Sequence, residues 1–335
     1  MVQNKEQKKY LKTLMELQHF YIDDTAIRVI KISGDGKYLS AGVQCGKIIL
    51  FEIIGYDYTK FEASYDRKNI MDYLNFINQK PFKILNGHSQ DVLDLEWSTF
   101  DHNLLLSCSM DKFVILWDIS LSEENCKIQS FDHGNIVTCI SFSPTDKFIF
   151  ASGCLDKFIR IWDFRDIIDK FYNNNNSNKD NQEIGAQNDI KIIDSEMKNL
   201  KNLKKYIFQY FNIEEKITAI SFYPTGDKIV IGTHNGKIII YEIRADNCFY
   251  KASFNCRNRI GKNSMGKKIT SIEFLNKNYS MISSSDSRIR LISMNDGKLV
   301  HKYKGFTNEN SWIKSSIDYN YDIIITGSED GFCYV

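Results

Sequence analysis

A motif that recurs at a fixed interval constrains this 335-residue chain more than any other feature. Four residue types appear twice, and each pair is separated by 45 residues. The two sets are His88, Ser107, Asp111 and Trp117, followed by His133, Ser152, Asp156 and Trp162. Short apolar runs typical of β-strands lie between these residues. A period of this length indicates a repeat architecture, in which each unit buries its apolar face against its neighbours.

The opening Gly87-His88 and the closing Trp117-Asp118 and Trp162-Asp163 resemble the WD-repeat family, whose fold is a β-propeller. In that family the four residue types form a hydrogen-bonded chain from Asp to His, from His to Ser and from Ser to Trp. The resemblance therefore implies a structural tetrad in each copy. A Ser-His-Asp hydrolase triad is the competing interpretation. The set occurs twice at one period and nothing resembles a nucleophile elbow, which favours the structural role.

Weaker copies of the strand pattern lie on both sides of this pair. Blade one covers about 25–53, blade four about 216–243 and blade five about 268–294, and a sixth begins near Ile313. Blade one has lost the tetrad, because Ala41 and Phe51 occupy its Ser and Trp positions. We therefore predict an all-β propeller of WD-repeat type with five complete blades and part of a sixth.

The predicted propeller covers residues 21–335 and follows an N-terminal extension, residues 1–20. Insertions are predicted at 54–83 and 166–210, and we do not expect the polar tract 173–181 to be ordered. The sixth blade stops within a strand, which would leave an open sheet edge. We therefore expect a truncated form of a longer, seven-bladed protein.

Composition excludes several classes of function. The net charge is +1, which gives no general attraction to nucleic acid. No apolar run approaches the length of a membrane-spanning helix. The eight cysteines contain no CxxC pair and no metal-binding spacing, so we expect free thiols in a reducing cytosol, with no metal and no cofactor.

Several stretches are similar to the rabphilin-type WD-repeat proteins, which bind Rab-family GTPases and act in endosomal recycling. They include residues 87–98, 106–112, 266–270 and 286–291. The resemblance implies a non-enzymatic scaffold for protein or peptide partners, among them a Rab-type small GTPase complex. It also implies a cytoplasmic protein that associates peripherally with endosomal membranes. The GTPase-binding segment that precedes the propeller in that subgroup has no counterpart here.

A basic loop leads into blade five. It contains five cations and no acidic residue: Arg257, Arg259, Lys262, Lys267 and Lys268. Gly261 and Gly266 in the same loop would let the backbone approach an anion closely. The loop is therefore a candidate site for an acidic protein, a phosphate or a phosphoinositide. The alternative is a solvated loop without a ligand.

Two further arginines support an alternative function. Arg165 ends the sequence Trp-Asp-Phe-Arg, and Arg244 ends Tyr-Glu-Ile-Arg in the next blade. Both resemble the WDxR box of substrate receptors of cullin-type ubiquitin ligases. The resemblance implies that each arginine projects from a strand end and pairs with an adaptor. The alternative is an ordinary cation at the end of a strand.

Overall fold

The computed structural model describes residues 21–54, 76–179, 207–244, 247–257, 266–318 and 323–335. Within these ranges the chain forms six antiparallel sheets, of which five have four strands and one has three. The prediction of an all-β propeller is confirmed, with five complete blades and a shorter sixth. The N-terminal extension lies outside the described residues.

The first three blades contain strands β1 to β12. Blade one consists of β1 (Ile27–Ile32), β2 (Tyr38–Val43), β3 (Ile48–Glu52) and β4 (Lys83–Leu85). Blade two consists of β5 (Val92–Trp97), β6 (Leu104–Ser109), β7 (Phe113–Asp118) and β8 (Lys127–Asp132). Blade three consists of β9 (Val137–Phe142), β10 (Ile149–Cys154), β11 (Phe158–Asp163) and β12 (Ile207–Asn212), with helix α1 (Arg165–Lys179) between its last two strands.

The other three blades contain strands β13 to β23. Blade four consists of β13 (Ile217–Phe222), β14 (Lys228–Thr233), β15 (Lys237–Ile243) and β16 (Cys248–Asn255). Blade five consists of β17 (Ile269–Asn276), β18 (Tyr279–Ser284), β19 (Arg288–Ser293) and β20 (Leu299–Tyr303). Blade six consists of β21 (Ser315–Asp318), β22 (Ile323–Gly327) and β23 (Cys333–Tyr334).

The core lies between the blades. The first strand of each sheet is the innermost, and these inner strands contact one another in chain order from blade one to blade six. One apolar cluster joins Leu106 of blade two to Phe142 of blade three, and another joins Val230 of blade four to Phe274 of blade five. Each of the sheets in blades two to five is therefore stabilised by burial of both of its faces against neighbouring sheets.

The structure corrects both predicted insertions at their ends. Lys83 belongs to β4, where its buried Nζ donates to the Ile119 carbonyl oxygen of blade two at 2.5 Å. Residues 207–210 belong to β12, the outer strand of blade three. The tract predicted to lack order, 173–181, begins within α1, which continues to Lys179. The first turn of this helix buries Ile167 against blade two, and this contact stabilises the helix. Residues 55–75 and 180–206 lie outside the described part of the chain.

Candidate functional site

Strand direction divides the loops between two faces of the propeller. The loops that enter the inner strands share one face with the turns between second and third strands, and we call this the entry face. Contacts between the loop before β5 and the turn after β6 show the arrangement, because Ser89 N donates to Asp111 Oδ2 at 2.9 Å. The turns between first and second strands and the loops after third strands form the opposite face, called the exit face.

Blade two contains the complete tetrad. The Trp117 Nε1–H donates to Ser107 Oγ at 2.8 Å, so the Ser107 hydroxyl can donate to His88 Nε2, also at 2.8 Å. The remaining ring nitrogen, His88 Nδ1, then carries the proton that it donates to Asp111 Oδ2 at 2.8 Å. Every member has a partner, which is the condition under which a buried polar network rigidifies a sheet.

The electrostatics of this network keep Asp111 ionised. Burial alone would raise the pKa of this carboxyl group, but the hydrogen bond from His88 and the backbone N–H groups of Ser89 and Phe113 outweigh it and lower the pKa. Ser107 is fully buried, and its oxygen already accepts from the Trp117 indole. The arrangement matches the distances of a hydrolase triad, yet no substrate can reach this hydroxyl.

Blade three differs from the predicted tetrad at its acidic member. Trp162 Nε1 donates to Ser152 Oγ at 2.9 Å, and Ser152 contacts His133 Nε2 at 2.7 Å. His133 Nδ1, however, donates to the Phe131 carbonyl oxygen at 2.9 Å instead of to Asp156. The prediction that Asp156 accepts from His133 is therefore wrong.

The cause of this difference is Arg160. Its Nη2 donates to Asp156 Oδ2 at 2.6 Å, and a charged guanidinium is a stronger donor to a carboxylate than a neutral imidazole. Burial, reinforced by the positive charge of Arg160, lowers the pKa of His133 to about 3. The imidazole in blade three is therefore neutral at ordinary pH.

Blade five contains the same kind of Asp–Arg ion pair, with more hydrogen bonds. Arg290 is buried and donates through both terminal nitrogens to Asp286, and its Nη1 also donates to Ser284 Oγ at 2.6 Å. In both blades the arginine follows the turn aspartate by four residues. Our sequence reasoning missed this ion pair, although the shared spacing of Asp156 to Arg160 and of Asp286 to Arg290 was a usable signal.

The turns beside these acids share one backbone conformation. One residue of the turn between the second and third strands has a positive φ in each of the six described blades. These residues are Gly46, Lys112, Lys157, Gly236, Ser287 and Gly331. At Lys112 the value is 79°, a left-handed conformation that a residue with a Cβ adopts at a cost. The turn geometry is therefore maintained even where glycine is not.

The basic loop lies on the entry face, and the structure describes three of its five cations. Lys268 Nζ donates to the Asn310 carbonyl oxygen at 2.9 Å and lies 4.8 Å from the centre of the Trp312 ring. Lys267 is exposed, and Arg257 follows Cys256, whose N–H donates to Gly236 O at 2.8 Å. Arg259 and Lys262 lie outside the described residues.

The structure changes two expectations about this loop. A Cβ on Gly266 would lie 1.9 Å from the Asn235 carbonyl oxygen, so this glycine allows the loop to pack against blade four and not against an anion. Glu329 is brought close although the loop itself contains no acid. Its Oε1 accepts from the backbone N–H groups of three consecutive residues, 309–311, at 3.1, 2.7 and 2.6 Å.

These contacts fix a small mixed surface on the entry face. We call Arg257, Lys267, Lys268 and Trp312 the Trp312 patch. Burial lowers the pKa of Lys268 although Glu329 opposes this effect, and the hydrogen bonds to Glu329 hold the loop that carries Trp312. The Trp312 side chain remains 37% exposed. A rigid, partly exposed aromatic ring beside cations is typical of protein-binding surfaces.

Arg165 and Arg244 lie on the opposite, exit face. Arg165 begins α1, and its guanidinium contacts Asp146 at 3.2 Å and Asp163 at 3.6 Å. Arg244 Nε contacts Glu242 at 3.0 Å, and its guanidinium lies 4.9 Å from the Phe249 ring. Both arginines therefore already pair with carboxylates of their own chain, and neither shares a face with the Trp312 patch.

Other chemistry is limited in the part of the chain that the structure describes. No group of three or more His, Cys, Asp or Glu side chains there could hold a metal ion. All eight cysteines are free. Burial raises the pKa of Cys139 to about 12, so its thiol stays protonated. No described helix is both long and apolar enough to cross a membrane.

Comparison with known proteins identifies the class of protein to which this chain belongs. Residues 79–118 and 125–163 match the family model described as "WD domain, G-beta repeat". Together with the six sheets, this match shows that the chain belongs to the WD-repeat β-propeller family. Residues 180–328 match the model described as "Nucleolar protein 10-like, N-terminal domain". Neither model is specific for the rabphilin-type subgroup.

The curated proteins that are similar to this chain include two that match over most of its length and one that matches over a shorter stretch. WD repeat-containing protein 44 of Xenopus laevis is 36% identical over 258 residues, which are 77% of this chain and 24% of that protein. The 2-deoxy-glucose resistant protein 2 of Saccharomyces cerevisiae is 25% identical over 274 residues, 76% of this chain and 27% of that protein. Periodic tryptophan protein 1 homolog of Drosophila melanogaster is 35% identical over 89 residues, 27% of this chain and 19% of that protein. The chain thus spans about a quarter of the length of the first two relatives.

Proposed function

We propose that this protein is a non-enzymatic interaction scaffold that binds a protein partner through the Trp312 patch, in intracellular membrane trafficking. The observation that carries the proposal is the immobilised pair of Lys268 and Trp312 on the entry face. The resemblance to the rabphilin-type subgroup supports a Rab-type small GTPase complex as the partner and the surface of endosomal membranes as the place. The similarity to WD repeat-containing protein 44 supports a WD-repeat protein as the frame for this scaffold.

The physical argument concerns preorganisation. An exposed tryptophan contributes strongly to binding when its position is fixed before the partner arrives, because little side-chain entropy is then lost. Lys268 covers one side of the ring, and Glu329 holds the preceding loop through three backbone N–H groups. Lys267 adds an exposed positive charge at the edge of the patch. The surface therefore fits a partner with an apolar contact and an acidic rim.

The test is a binding titration with a Rab-type GTPase in its GTP-bound and GDP-bound forms. We expect Trp312→Ala to weaken binding by about thirtyfold or more, as for an interface hot spot. Lys267→Glu should lower the association rate, with an effect that shrinks as salt rises. The control variant carries Arg165→Ala and Arg244→Ala on the exit face and should bind like the wild-type protein.

A parallel titration with a cullin adaptor examines the alternative function. Adaptor binding that is abolished by Arg165→Ala and Arg244→Ala, and is unaffected by Trp312→Ala, would support a ligase receptor and contradict the scaffold proposal. Melting curves of all variants accompany the assay. If Trp312→Ala melts well below the wild-type protein, the patch serves the structure and the proposal fails.

A further inference from the structure

A loop on the entry face directs three consecutive backbone N–H groups toward one acceptor. The loop joins β20 to β21, and the N–H groups of Glu309, Asn310 and Ser311 donate to Glu329 Oε1 at 3.1, 2.7 and 2.6 Å. Successive N–H groups that converge in this way form a concave site for an anion. We call the backbone of residues 309–311 the loop nest.

The occupant of the loop nest is a carboxylate of the same chain. The hydrogen bonds from the N–H groups of Ser311 and Asn310 lower the pKa of Glu329, so this side chain is ionised at neutral pH. Glu329 lies in the turn between β22 and β23. Glu329 and the three residues of the nest are exposed. An anion from solution therefore reaches the nest as soon as the Glu329 side chain turns away.

The loop nest is also held by contacts that do not involve Glu329. Asn308, which directly precedes it, is buried; its N–H donates to Ser287 Oγ at 2.9 Å, and Ser287 N donates to the Asn308 carbonyl oxygen at 3.2 Å. Lys268 Nζ donates to the Asn310 carbonyl oxygen at 2.9 Å. Both anchors come from blade five, and the sheets of blades five and six share a buried apolar cluster below the loop. We therefore expect the nest to keep its shape when its occupant changes.

The surroundings of the loop nest indicate what kind of anion it accepts. Burial lowers the pKa of Lys268 and the charge of Glu329 opposes this effect, so a cation lies near the nest. Trp312 directly follows the nest, and its ring centre lies 4.8 Å from Lys268 Nζ. Backbone nests of this kind capture carboxylates in peptide recognition. The site therefore suits a carboxylate that arrives together with an apolar group.

We propose that the loop nest is a binding site for an aspartate or glutamate side chain of the protein partner, and that Glu329 occupies it as an internal substitute until the partner binds. The proposal deepens the proposed function and rests on it for the kind of partner. One carboxylate replaces another, so the three N–H groups have an acceptor in both states. Because Glu329 competes within the same molecule, its effective concentration is high, and isolated anions are rejected. The exchange thus selects an acid that also makes contact elsewhere, as on Trp312.

Amide NMR shifts of residues 309–311 report the occupant of the nest directly. The probe is the N-acetyl, C-amide derivative of glutamate, which carries a single carboxylate. We expect Glu329→Ala to bind this probe about tenfold or more tightly than the wild-type chain, because no internal carboxylate competes. Glu329→Gln should show a smaller gain, since a neutral amide oxygen is a weaker acceptor than a carboxylate. This second variant keeps an acceptor in the nest and decides the matter if Glu329→Ala loosens the loop.

Asp330→Asn is the matched control for Glu329→Gln. It removes an equal charge from the same turn, but the Asp330 side chain accepts from Phe332 N and Tyr334 Oη and does not enter the nest. It should bind the probe like the wild-type chain. A gain as large as that of Glu329→Gln would reduce the effect to net charge and overturn the proposal. Amides 309–311 that do not respond to the probe in either Glu329 variant would also overturn it, as would tighter binding of inorganic phosphate than of the glutamate derivative.

Titration with the Rab-type GTPase separates this inference from the proposed function. In that assay Glu329→Ala should strengthen binding by about threefold or more, because the partner no longer displaces an internal acid, whereas Trp312→Ala weakens it. Weaker binding by Glu329→Ala would show that Glu329 serves the interface and would overturn the exchange. A GTPase that binds no variant contradicts the proposed function, and the small probe then still decides whether the nest takes a carboxylate.

Discussion

Replacement of His133 by Gln is expected to remove a pH-dependent part of the stability of the fold. Burial and then the charge of Arg160 lower the pKa of His133 from its ordinary 6.5 to about 3 in the folded chain. In the unfolded chain the imidazole regains its ordinary pKa. The buried neutral side chain therefore contributes stability that is fully present above pH 6.5 and is lost as the pH falls toward 3.

The magnitude follows from the pKa difference. Between pH 6.5 and 3 the unfolded chain binds a proton that the folded chain does not, so each pH unit lowers the free energy of unfolding by about 1.4 kcal/mol. At pH 5 the loss relative to pH 7 is thus roughly 2 kcal/mol. His133→Gln itself costs about 1–3 kcal/mol at pH 7, because Gln cannot keep both the bond to Phe131 and the bond to Ser152.

Urea unfolding of the wild-type chain and of His133→Gln at pH 7 and pH 5 measures this effect. Titration of the carboxyl groups affects both proteins alike and cancels in the difference between them. We expect that difference in unfolding free energy to shrink by about 2 kcal/mol from pH 7 to pH 5. His301→Gln, at an exposed position on β20, supplies the baseline for loss of an imidazole.

One result would refute this reasoning. If the difference between the wild-type chain and His133→Gln is the same at both pH values, His133 gains its proton as easily in the folded chain as in the unfolded one. The imidazole would then be solvated, contrary to its burial between Phe131 and Ser152.

Three further predictions concern blades two and five. Trp117→Phe should lower the free energy of unfolding by about 1–3 kcal/mol in urea titrations. The cost should be clearly smaller in a Ser107→Ala background, where the indole has already lost its acceptor, and equal costs in both backgrounds would contradict the network. Lys112→Val should be more destabilising than Lys112→Gly by about 1–2 kcal/mol in melting curves, because only glycine tolerates the positive φ without strain, and equal melting would disprove the strained turn. Asp286→Ala should lower the free energy of unfolding by about 3–5 kcal/mol, because it leaves the buried Arg290 without this carboxylate. Adding Arg290→Met should recover most of that loss, whereas a neutral Asp286→Ala variant would show that the pair is not buried.

The repeat made the blades predictable, because strand period and turn residues are local signals that survive even where the tetrad is lost. The first three strands of blade five could thus be recognised although Ile292 replaces the tryptophan, whereas the fourth, Leu299–Tyr303, lies beyond the predicted range of 268–294. Outer strands were harder to predict. Residues 83–85 and 207–212 follow long insertions, so their membership in a blade depends on pairing with distant strands and not on their own sequence.

The tetrads show where sequence reasoning reached its limit. The spacing correctly predicted the contact between His88 and Asp111. The equal spacing of His133 and Asp156 did not lead to a contact, because Arg160 competes for the carboxylate. The approach of Glu329 to the basic loop was also not predictable, since the two segments are more than 60 residues apart in sequence and meet only across two blades. Competition between donors and long-range proximity are properties of the folded chain.

Helix α1 makes the ring mechanically uneven. It lies between two strands of blade three, yet Ile167 packs in one cluster with Leu104 and Ile128 of blade two, and Tyr172 Oη donates to Asp118 at the end of β7. Opening either blade therefore requires the helix to detach from both. Amide hydrogen exchange should then report one slow cooperative unit for residues 92–163. By contrast, β1 and β22, whose Ile30, Ile32 and Ile325 are about half exposed, should exchange earliest among the described strands.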